Sequence, residues 1–357
     1  MTPTQRRVTV IALVAIPVLV LGLVVSLLEP SGHEVEAGEQ VELTDAVHAG
    51  ATHEVRLPSS TLAMQVGDPV DEVDDAAADI SAPGGGSVDG PVRPPDGHRL
   101  LPVTWSLRGG PVNSEAEESG SIPADEDSTL IDITLVVDGE GTALVAARPV
   151  HSITDNGQTA VLIPVDDGVE VGDVTVEVTY DDLTQTLSPE SGKVDSGAAA
   201  PLYEGHPRAL PTGCPAGTCR FEPTDPEAPL RLGRDRTGFS ADDVHLRPYD
   251  PDLGWAEDGE VWASVMLNSD GVGSFIDDEG NLHTSRSAPS TKATLGSTEA
   301  ERIEQSEEAN TIGRAVFAVD PKASPRTLTV EQAHKVDHDG TSTKVTLRGE
   351  VEVDERD

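Results

Sequence analysis

The feature that most constrains this chain is an uncharged apolar run close to its N-terminus. Residues 8–28 read VTVIALVAIPVLVLGLVVSLL, 21 residues without a charged side chain. A helix of that length rises about 30 Å, which matches the hydrocarbon thickness of a bilayer. Pro17 and Gly22 are tolerated in such a helix, because neighbouring groups in a membrane satisfy the freed backbone. The run therefore predicts a single transmembrane anchor.

The charges on either side of the run predict its orientation. Arg6 and Arg7 precede it, whereas Glu29 and Glu34 follow it. Basic residues stay on the cytoplasmic side, so residues 1–7 are predicted to be cytoplasmic and the bulk of the chain extracytoplasmic, in a single-pass protein of the cell membrane. A cleaved signal peptide is the alternative, although it would have a shorter apolar region and an A-x-A site after it. Both interpretations place the remaining chain outside the cytoplasm.

The charge balance excludes one class of partner. The chain has 24 Lys and Arg against 64 Asp and Glu, a formal net charge of -40. Such a charge repels the phosphate backbone, so no nucleic acid is expected as a partner, and an anionic lipid surface is disfavoured for the same reason. The acidity is either a general solvation effect or a surface for cations or a basic partner.

Two cysteines, Cys214 and Cys219, lie in the segment GCPAGTCRF. An extracytoplasmic compartment permits disulfides, so the pair predicts a local disulfide that pins a turn and contributes about 2 kcal/mol. A redox site would need C-x-x-C on a thioredoxin-like unit. A zinc site would need two more ligands, and His206 is the one nearby candidate.

Alternating apolar residues predict a mainly β protein. Residues 99–107 read RLLPVTWSL, where apolar side chains alternate with Pro, Thr and Ser at the period of a half-buried strand. Similar runs separated by turn residues continue to Tyr180 and again after residue 230. Two antiparallel β-sandwich domains are therefore predicted, at residues 98–187 and 230–357.

The remaining segments are predicted from their composition. Residues 29–97 are expected to form a juxtamembrane segment with possible first strands and an acidic, Gly- and Pro-rich loop. Residues 188–229, rich in Ser, Gly, Ala and Pro, are predicted to be a linker that holds the Cys pair. The one short helix predicted outside the membrane covers residues 298–309.

The two β blocks share an order of segments. DGHRLLPVTWSL opens the first block and QTAVLIPVDDGVEVGDVTVEVTY comes late in it, whereas EDGEVWASVML opens the second and NTIGRAVFAVDPKASPRTLTVEQ comes late. Either the blocks are distant copies of each other, or the match is coincidental.

These late segments carry a family resemblance. A strand that ends in a V-P or V-D step, followed by a short loop and then by L-T-V, resembles the C-terminal part of telokin-like, immunoglobulin-fold domains of bacterial secreted and membrane-anchored proteins. The resemblance implies Ig-like sandwiches that act as interaction modules of the bacterial cell envelope. The Cys–Trp–Cys signature of antibody-type domains is missing, and no catalytic motif is covered.

Two segments hold candidate metal ligands. His334 and His338 in HKVDHDG would share a metal on a helix, or else form a polar hairpin loop between strands. Asp277, Asp278 and Glu279 form a carboxylate cluster that either binds Ca²⁺ or is an ordinary hairpin tip, since the EF-hand spacing is absent.

Motifs of catalysis are missing from the sequence. There is no G-x-S-x-G, S-x-x-K, P-loop or H-E-x-x-H, so no catalytic or cofactor-binding residue is predicted. Trp105 and Trp262 are expected to be core anchors, and Trp255 is the best candidate for an exposed sugar platform.

The sequence favours a non-enzymatic module that contacts an unidentified envelope protein. The alternatives are a divalent-cation or small-ligand sensor and an envelope hydrolase.

Overall fold

The computed structural model of this chain describes residues 33–36, 39–43, 50–73, 80–81, 91–109, 130–149, 157–214, 219–233, 238–270, 273–286, 289–304, 311–322 and 326–353. The predicted anchor at residues 8–28 lies outside these ranges. Within them, no helix is long and apolar enough to span a bilayer.

The described chain is mainly β, as the alternating patterns predict. Its sheets are antiparallel apart from one short parallel pair, and its one α-helix is a single turn, α1 (Ala200–Tyr203). The strands fall into two sets that share no ladder, which we call the first and the second unit.

The first unit contains two facing sheets and a separate two-stranded parallel pair. Its strands are β1 (His33–Glu34), β2 (Val41–Leu43), β3 (Thr52–Arg56), β4 (Ser60–Val66), β5 (Ile80–Ser81), β6 (Val92–Arg93), β7 (His98–Gly109), β8 (Leu130–Val137), β9 (Glu140–Pro149), β10 (Gln158–Asp166), β11 (Val174–Tyr180), β12 (Leu183–Leu187) and β13 (Val194–Asp195). One sheet has the order β3-β4-β7-β10-β2-β5, and the other has the order β13-β12-β11-β8-β9.

The alternation in β7 explains how these sheets pack. Leu101, Val103 and Trp105 lie in the core between the two sheets, as the sequence predicts. Leu100 points to the opposite face, where Val35 and Val92 cover it in a smaller core. Both faces of this sheet are therefore removed from water, which is what an apolar residue on each face requires.

The second unit contains two larger sheets, one small three-stranded sheet and a separate two-stranded hairpin. Its strands are β14 (Arg208–Leu210), β15 (Cys219–Arg220), β16 (Glu222–Pro223), β17 (Leu230–Leu232), β18 (Gly238–Ala241), β19 (Val244–Arg247), β20 (Tyr249–Asp250), β21 (Gly254–Trp255), β22 (Val261–Asp270), β23 (Ser274–Asp277), β24 (Leu282–Thr284), β25 (Ser290–Leu295), β26 (Thr298–Glu299), β27 (Arg302–Ile303), β28 (Thr311–Val319), β29 (Arg326–His338) and β30 (Thr341–Val353). One large sheet centres on β22, the other has the order β16-β30-β29-β25-β26, and the small sheet has the order β17-β23-β24.

The two units repeat one pattern of strand pairing. In the first, β7 pairs with β10, the chain crosses to the facing sheet, and β11 pairs with both β8 and β12. In the second, β22 pairs with β28, the chain crosses in the same way, and β29 pairs with both β25 and β30. The shared order of sequence segments therefore corresponds to a shared topology. The two strands of each late segment lie in different sheets.

The structure differs from the predicted segment limits. Residues 52–66, placed before the first domain by composition, form β3 and β4 and extend the sheet of β7. Residues 188–229, predicted as a linker, supply β13 to the first unit and β14 to β16 to the second. The helix predicted at residues 298–309 is wrong over its described part, since β26 and β27 lie there and pair with β25 and β28.

The disulfide predicted between Cys214 and Cys219 is confirmed. Their Cα atoms are 5.4 Å apart, and Cys214 is fully buried in the core of the second unit. Cys219 pairs with Phe239 across β15 and β18, so the crosslink lies beside a buried aromatic ring. The zinc alternative for this pair is not realised, because each sulfur is bonded to the other. The redox alternative lacks its framework, because the two cysteines are five residues apart and Cys219 lies on an antiparallel strand.

Gly349 in β30 is required by the close approach of Phe239, whose ring would overlap a β-carbon at this position. We expect Gly349→Ala to lower the free energy of unfolding by about 1–3 kcal/mol, since the fully buried ring has to move. Gly168→Ala is the matched control, because its β-carbon would meet no atom within 4 Å. Urea titration of both variants measures the difference, and equal stability would contradict this account.

A short hairpin joins the two units. Trp255 in β21 donates its indole N–H to the carbonyl oxygen of Tyr180 at 2.9 Å, and Tyr249 in β20 packs edge-on against the same tyrosine. Both side chains belong to the core of the first unit, although they follow it in sequence. Trp255 is thus an interdomain contact instead of the exposed platform predicted.

The two other tryptophans differ from each other. Trp105 is a core residue as predicted. Trp262 is partly exposed and donates its indole N–H to the carbonyl oxygen of Gly254.

Candidate metal centre

The site begins with a carboxylate at the end of β23. Asp277 is 8% exposed, and the turn that follows it folds back so that Asn281 holds both carboxylate oxygens. The Asn281 backbone N–H donates to Oδ1 at 2.7 Å, and its side-chain amide donates to Oδ2 at 2.9 Å. These two hydrogen bonds fix the orientation of the carboxylate without the help of any other group.

The next strand of this hairpin, β24, supplies an imidazole. Nε2 of His283 lies 2.8 Å from Oδ2 of Asp277, and Nδ1 lies 2.9 Å from the carbonyl oxygen of Asp337 on β29. The hydrogen bond between the two side chains raises the pKa of His283 and lowers that of Asp277. In the absence of a metal, the arrangement therefore favours an imidazolium paired with a carboxylate.

A second imidazole arrives from the long hairpin of β29 and β30. His338 is the last residue of β29, and its ring centroid lies 5.2 Å from that of His283 in an edge-on arrangement. The two-residue turn that follows, Asp339 and Gly340, has positive φ at both positions, as a type I′ turn requires. One ligand atom from each of Asp277, His283 and His338 lies within 4.8 Å of the others.

This set of donors fits a divalent transition metal. Two imidazoles and one carboxylate suit Zn²⁺ and its neighbours, whereas Ca²⁺ takes six or more oxygen ligands. Ligand atoms about 2.0 Å from one zinc ion lie about 3.3 Å apart. Asp277 Oδ2 and His283 Nε2, now 2.8 Å apart, would therefore separate by about 0.5 Å. The widest separation in the set would shrink by about 1.5 Å at most. Three protein ligands leave a fourth position for water.

The surroundings of His283 match those of a metal-ligating histidine. Such a residue donates the N–H of its second nitrogen to a backbone carbonyl or a carboxylate, which fixes the tautomer. Nδ1 of His283 already makes this bond to Asp337. An ion would replace the proton on Nε2. Because both nitrogens face acceptors, His283 is not placed as the general base of a hydrolase.

The structure separates the residues of the predicted calcium cluster. Asp277 turns inward, whereas Asp278 is 69% exposed and pairs with Arg231, and Glu279 is exposed. The described residues therefore do not assemble Asp277, Asp278 and Glu279 into one oxygen cage. Hydrogen bonds of the tight turn to Asn281 explain this, because they direct one carboxylate to the interior.

The structure also separates the predicted histidine pair. His334 and His338 lie on a strand instead of a helix, and four residues of a strand span about 13 Å, too far for one ion. His334 is 1% exposed with its ring against Phe275, and neither ring nitrogen has a hydrogen-bond partner. Burial lowers its pKa to about 4. This histidine belongs to the core.

His283 is the ligand that sequence reasoning missed. His283 pairs with Phe275 across the β23–β24 hairpin. Asp277 is two residues after Phe275 in the same strand, so it lies diagonally opposite His283. The segment FIDDEGNLHTS contains the signal, because diagonal positions on one face of a hairpin are within reach of long side chains.

The comparisons with known proteins add no relative. No protein-family model, no curated protein and no solved structure matches this chain. They give no evidence of an enzymatic activity. The candidate metal centre therefore stands on the geometry of the chain itself.

Proposed function

We propose that this chain is a metal-binding protein whose second unit takes up a divalent transition-metal ion, Zn²⁺ first, through Asp277, His283 and His338. One observation carries the proposal, the convergence of a buried carboxylate and two imidazoles within 4.8 Å. It gives a defined site to the divalent-cation sensor that the sequence offers as an alternative. It also replaces the calcium cluster by a site of mixed nitrogen and oxygen donors.

The comparison of the two units supports the proposal. The second unit has a small sheet, β17-β23-β24, for which the described part of the first unit has no equivalent. Its final hairpin has 13 residues in each strand, whereas β11 and β12 have 7 and 5. All three ligands lie on these additions. New functions commonly arise on a fold through additions of this kind.

The location of the site is part of the proposal. The apolar run at residues 8–28 supports an anchored protein with both units outside the cytoplasm, and the Cys214–Cys219 disulfide fits that compartment. The resemblance of the late segments supports Ig-like sandwiches for the two units. The protein would then bind metal ions available in the cell envelope.

The described surface gives less support to an apolar docking module. Its large exposed hydrophobic side chains are Leu130, Leu253 and Leu282, which lie on three different elements. Isolated exposed leucines are ordinary on a soluble surface, whereas a docking site has a contiguous apolar patch. Contacts with an envelope partner would therefore have to be mainly polar.

Zinc titration of the full-length chain in detergent tests the proposal. We expect one Zn²⁺ per chain by calorimetry and a higher melting temperature, since an ion at 100 times its Kd adds about 2.7 kcal/mol to the native state. Millimolar Ca²⁺ is expected to produce no such shift. Co²⁺ absorption would report the coordination of the same site.

A variant and its control make the test specific to this site. His338→Gln is expected to weaken Zn²⁺ binding about 100-fold or more, because one of three ligands is lost. Asp278→Asn, one residue from Asp277 but exposed, is expected to bind as the wild type does. Absence of Zn²⁺ binding in the wild type would mean that Asp277 and His283 are only an ion pair.

A further inference from the structure

The tip of the long hairpin faces both imidazoles of the candidate site. Asp337 presents its carbonyl oxygen to Nδ1 of His283 at 2.9 Å. Asp339 presents carboxylate Oδ2 to Nδ1 of His338 at 3.9 Å. Nδ1 of His283 thus has a hydrogen-bond acceptor, whereas the carboxylate beside Nδ1 of His338 lies beyond hydrogen-bond distance. Nε2 of His283 is directed to Asp277. Nδ1 of each ring therefore lies near an oxygen of residues 337–339.

This arrangement matters because a neutral imidazole has two tautomers. A metal takes the nitrogen that lacks a proton, and an acceptor at the other nitrogen selects that tautomer. For His283 the acceptor is a backbone carbonyl, which side-chain substitution cannot remove. For His338 it is the side chain of Asp339, which is 88% exposed. A closure of about 1 Å would make this a hydrogen bond.

We propose that Asp339 is a positioning residue of the metal site, which accepts the Nδ1 proton of His338 and so directs Nε2 toward the ion shared with Asp277 and His283. The inference rests on the proposed function, because without the ion there is no shell to orient. It assigns a role to a residue that the fold already needs at this turn.

Two simpler roles for Asp339 have to be separated from this one. Its φ of 52° favours Asp, Asn or Gly, so the residue would be present merely to form the turn. Its negative charge would also attract any cation without orienting a ring. These roles predict different responses to Asn and Gly, because both residues tolerate the backbone angle, but only Asn keeps an oxygen acceptor.

The experiment compares Asp339→Asn and Asp339→Gly in the full-length chain, with Zn²⁺ as the probe. We expect Asp339→Gly to weaken Zn²⁺ binding about 10- to 100-fold, and Asp339→Asn to stay within about threefold of the wild type. Metal-free melting temperatures should be alike, since both variants suit a type I′ turn. Ring ¹⁵N shifts of His338 in the zinc-bound state should report the Nδ1–H tautomer in the wild type and Asp339→Asn.

Each other result overturns the inference in a recognisable way. Equal binding by Asp339→Gly and the wild type would leave Asp339 as a turn residue only. Equal weakening in both variants would mean that charge, not orientation, accounts for its effect. If the wild type itself binds no Zn²⁺, the proposed function fails and this inference fails with it, whereas zinc-binding wild type with unaffected variants removes this inference alone.

Discussion

Replacing Arg314 with methionine is expected to lower the free energy of unfolding by about 3–5 kcal/mol, the largest effect we anticipate. The guanidinium is 3% exposed and lies 2.6 Å from Asp250, 2.7 Å from Asp252 and 3.0 Å from Glu304. Asp250 is itself 3% exposed. Methionine fills a similar volume but leaves that buried carboxylate without its cation, and an uncompensated buried charge is what makes such a change costly.

Guanidinium chloride titration followed by tryptophan fluorescence measures this loss. Arg348→Met is the matched control, because Arg348 is 49% exposed, pairs with Glu350 on the surface, and should contribute less than about 1 kcal/mol. Adding Asp250→Asn to Arg314→Met should restore part of the stability, since the unpaired charge is then removed. A loss below about 1 kcal/mol in Arg314→Met would contradict the account.

The second large effect is a loss of stability in mild acid that depends on His334. Its folded pKa, about 4, is below the ordinary value of 6.5, because burial disfavours the charged ring. The unfolded chain therefore binds the additional proton between these two values. The stabilising contribution is complete above about pH 6.5 and decreases as the pH falls toward 4. The total loss is about 3 kcal/mol.

His334→Phe isolates this contribution, because a phenyl ring keeps the edge-on contact with Phe275 and does not titrate. The difference in unfolding free energy between variant and wild type should change by about 3 kcal/mol from pH 7 to pH 4, in favour of the variant. Measurements in a chelator keep bound metal from adding its own pH dependence. Parallel acid curves for the two proteins would contradict the assignment to His334.

The pair of Asp277 and His283 should not produce the same acid loss. A raised pKa of His283 adds stability below its ordinary value that is lost as the pH rises through the folded pKa. A lowered pKa of Asp277 adds stability that is lost only below about pH 3.8. Neither change falls between pH 4 and 6.5. Burial also lowers the pKa of His206, which therefore contributes a loss in the same window, and the comparison of His334→Phe with the wild type isolates the part that belongs to His334.

The fold class was accessible from sequence because side-chain alternation records which face is buried. Leu101, Val103 and Trp105 in β7 are the clearest case, and they occupy the core as expected. The segment limits were not accessible in the same way. β13 to β16 are two or three residues long and lie in Ser-, Gly- and Pro-rich sequence. Their pairing depends on backbone hydrogen bonds, which produce no alternation of apolar and polar residues in the sequence.

The candidate site was accessible only in parts. Asp277 and His338 were both singled out, but in separate hypotheses, because their meeting depends on how the β23–β24 hairpin lies against β29. His334 was grouped with His338 by helical spacing, which loses its meaning once the segment is a strand. His283 carried no motif of its own. Its importance follows from the hairpin register and not from local composition.

The hairpin between the two units has a mechanical consequence. Tyr249 and Trp255 are held in the first core, while Asp250, the neighbour of Tyr249, is bonded to Arg314 in the second. A force that separates the two units would therefore act on packed aromatic rings at one end of this hairpin and on a buried ion pair at the other.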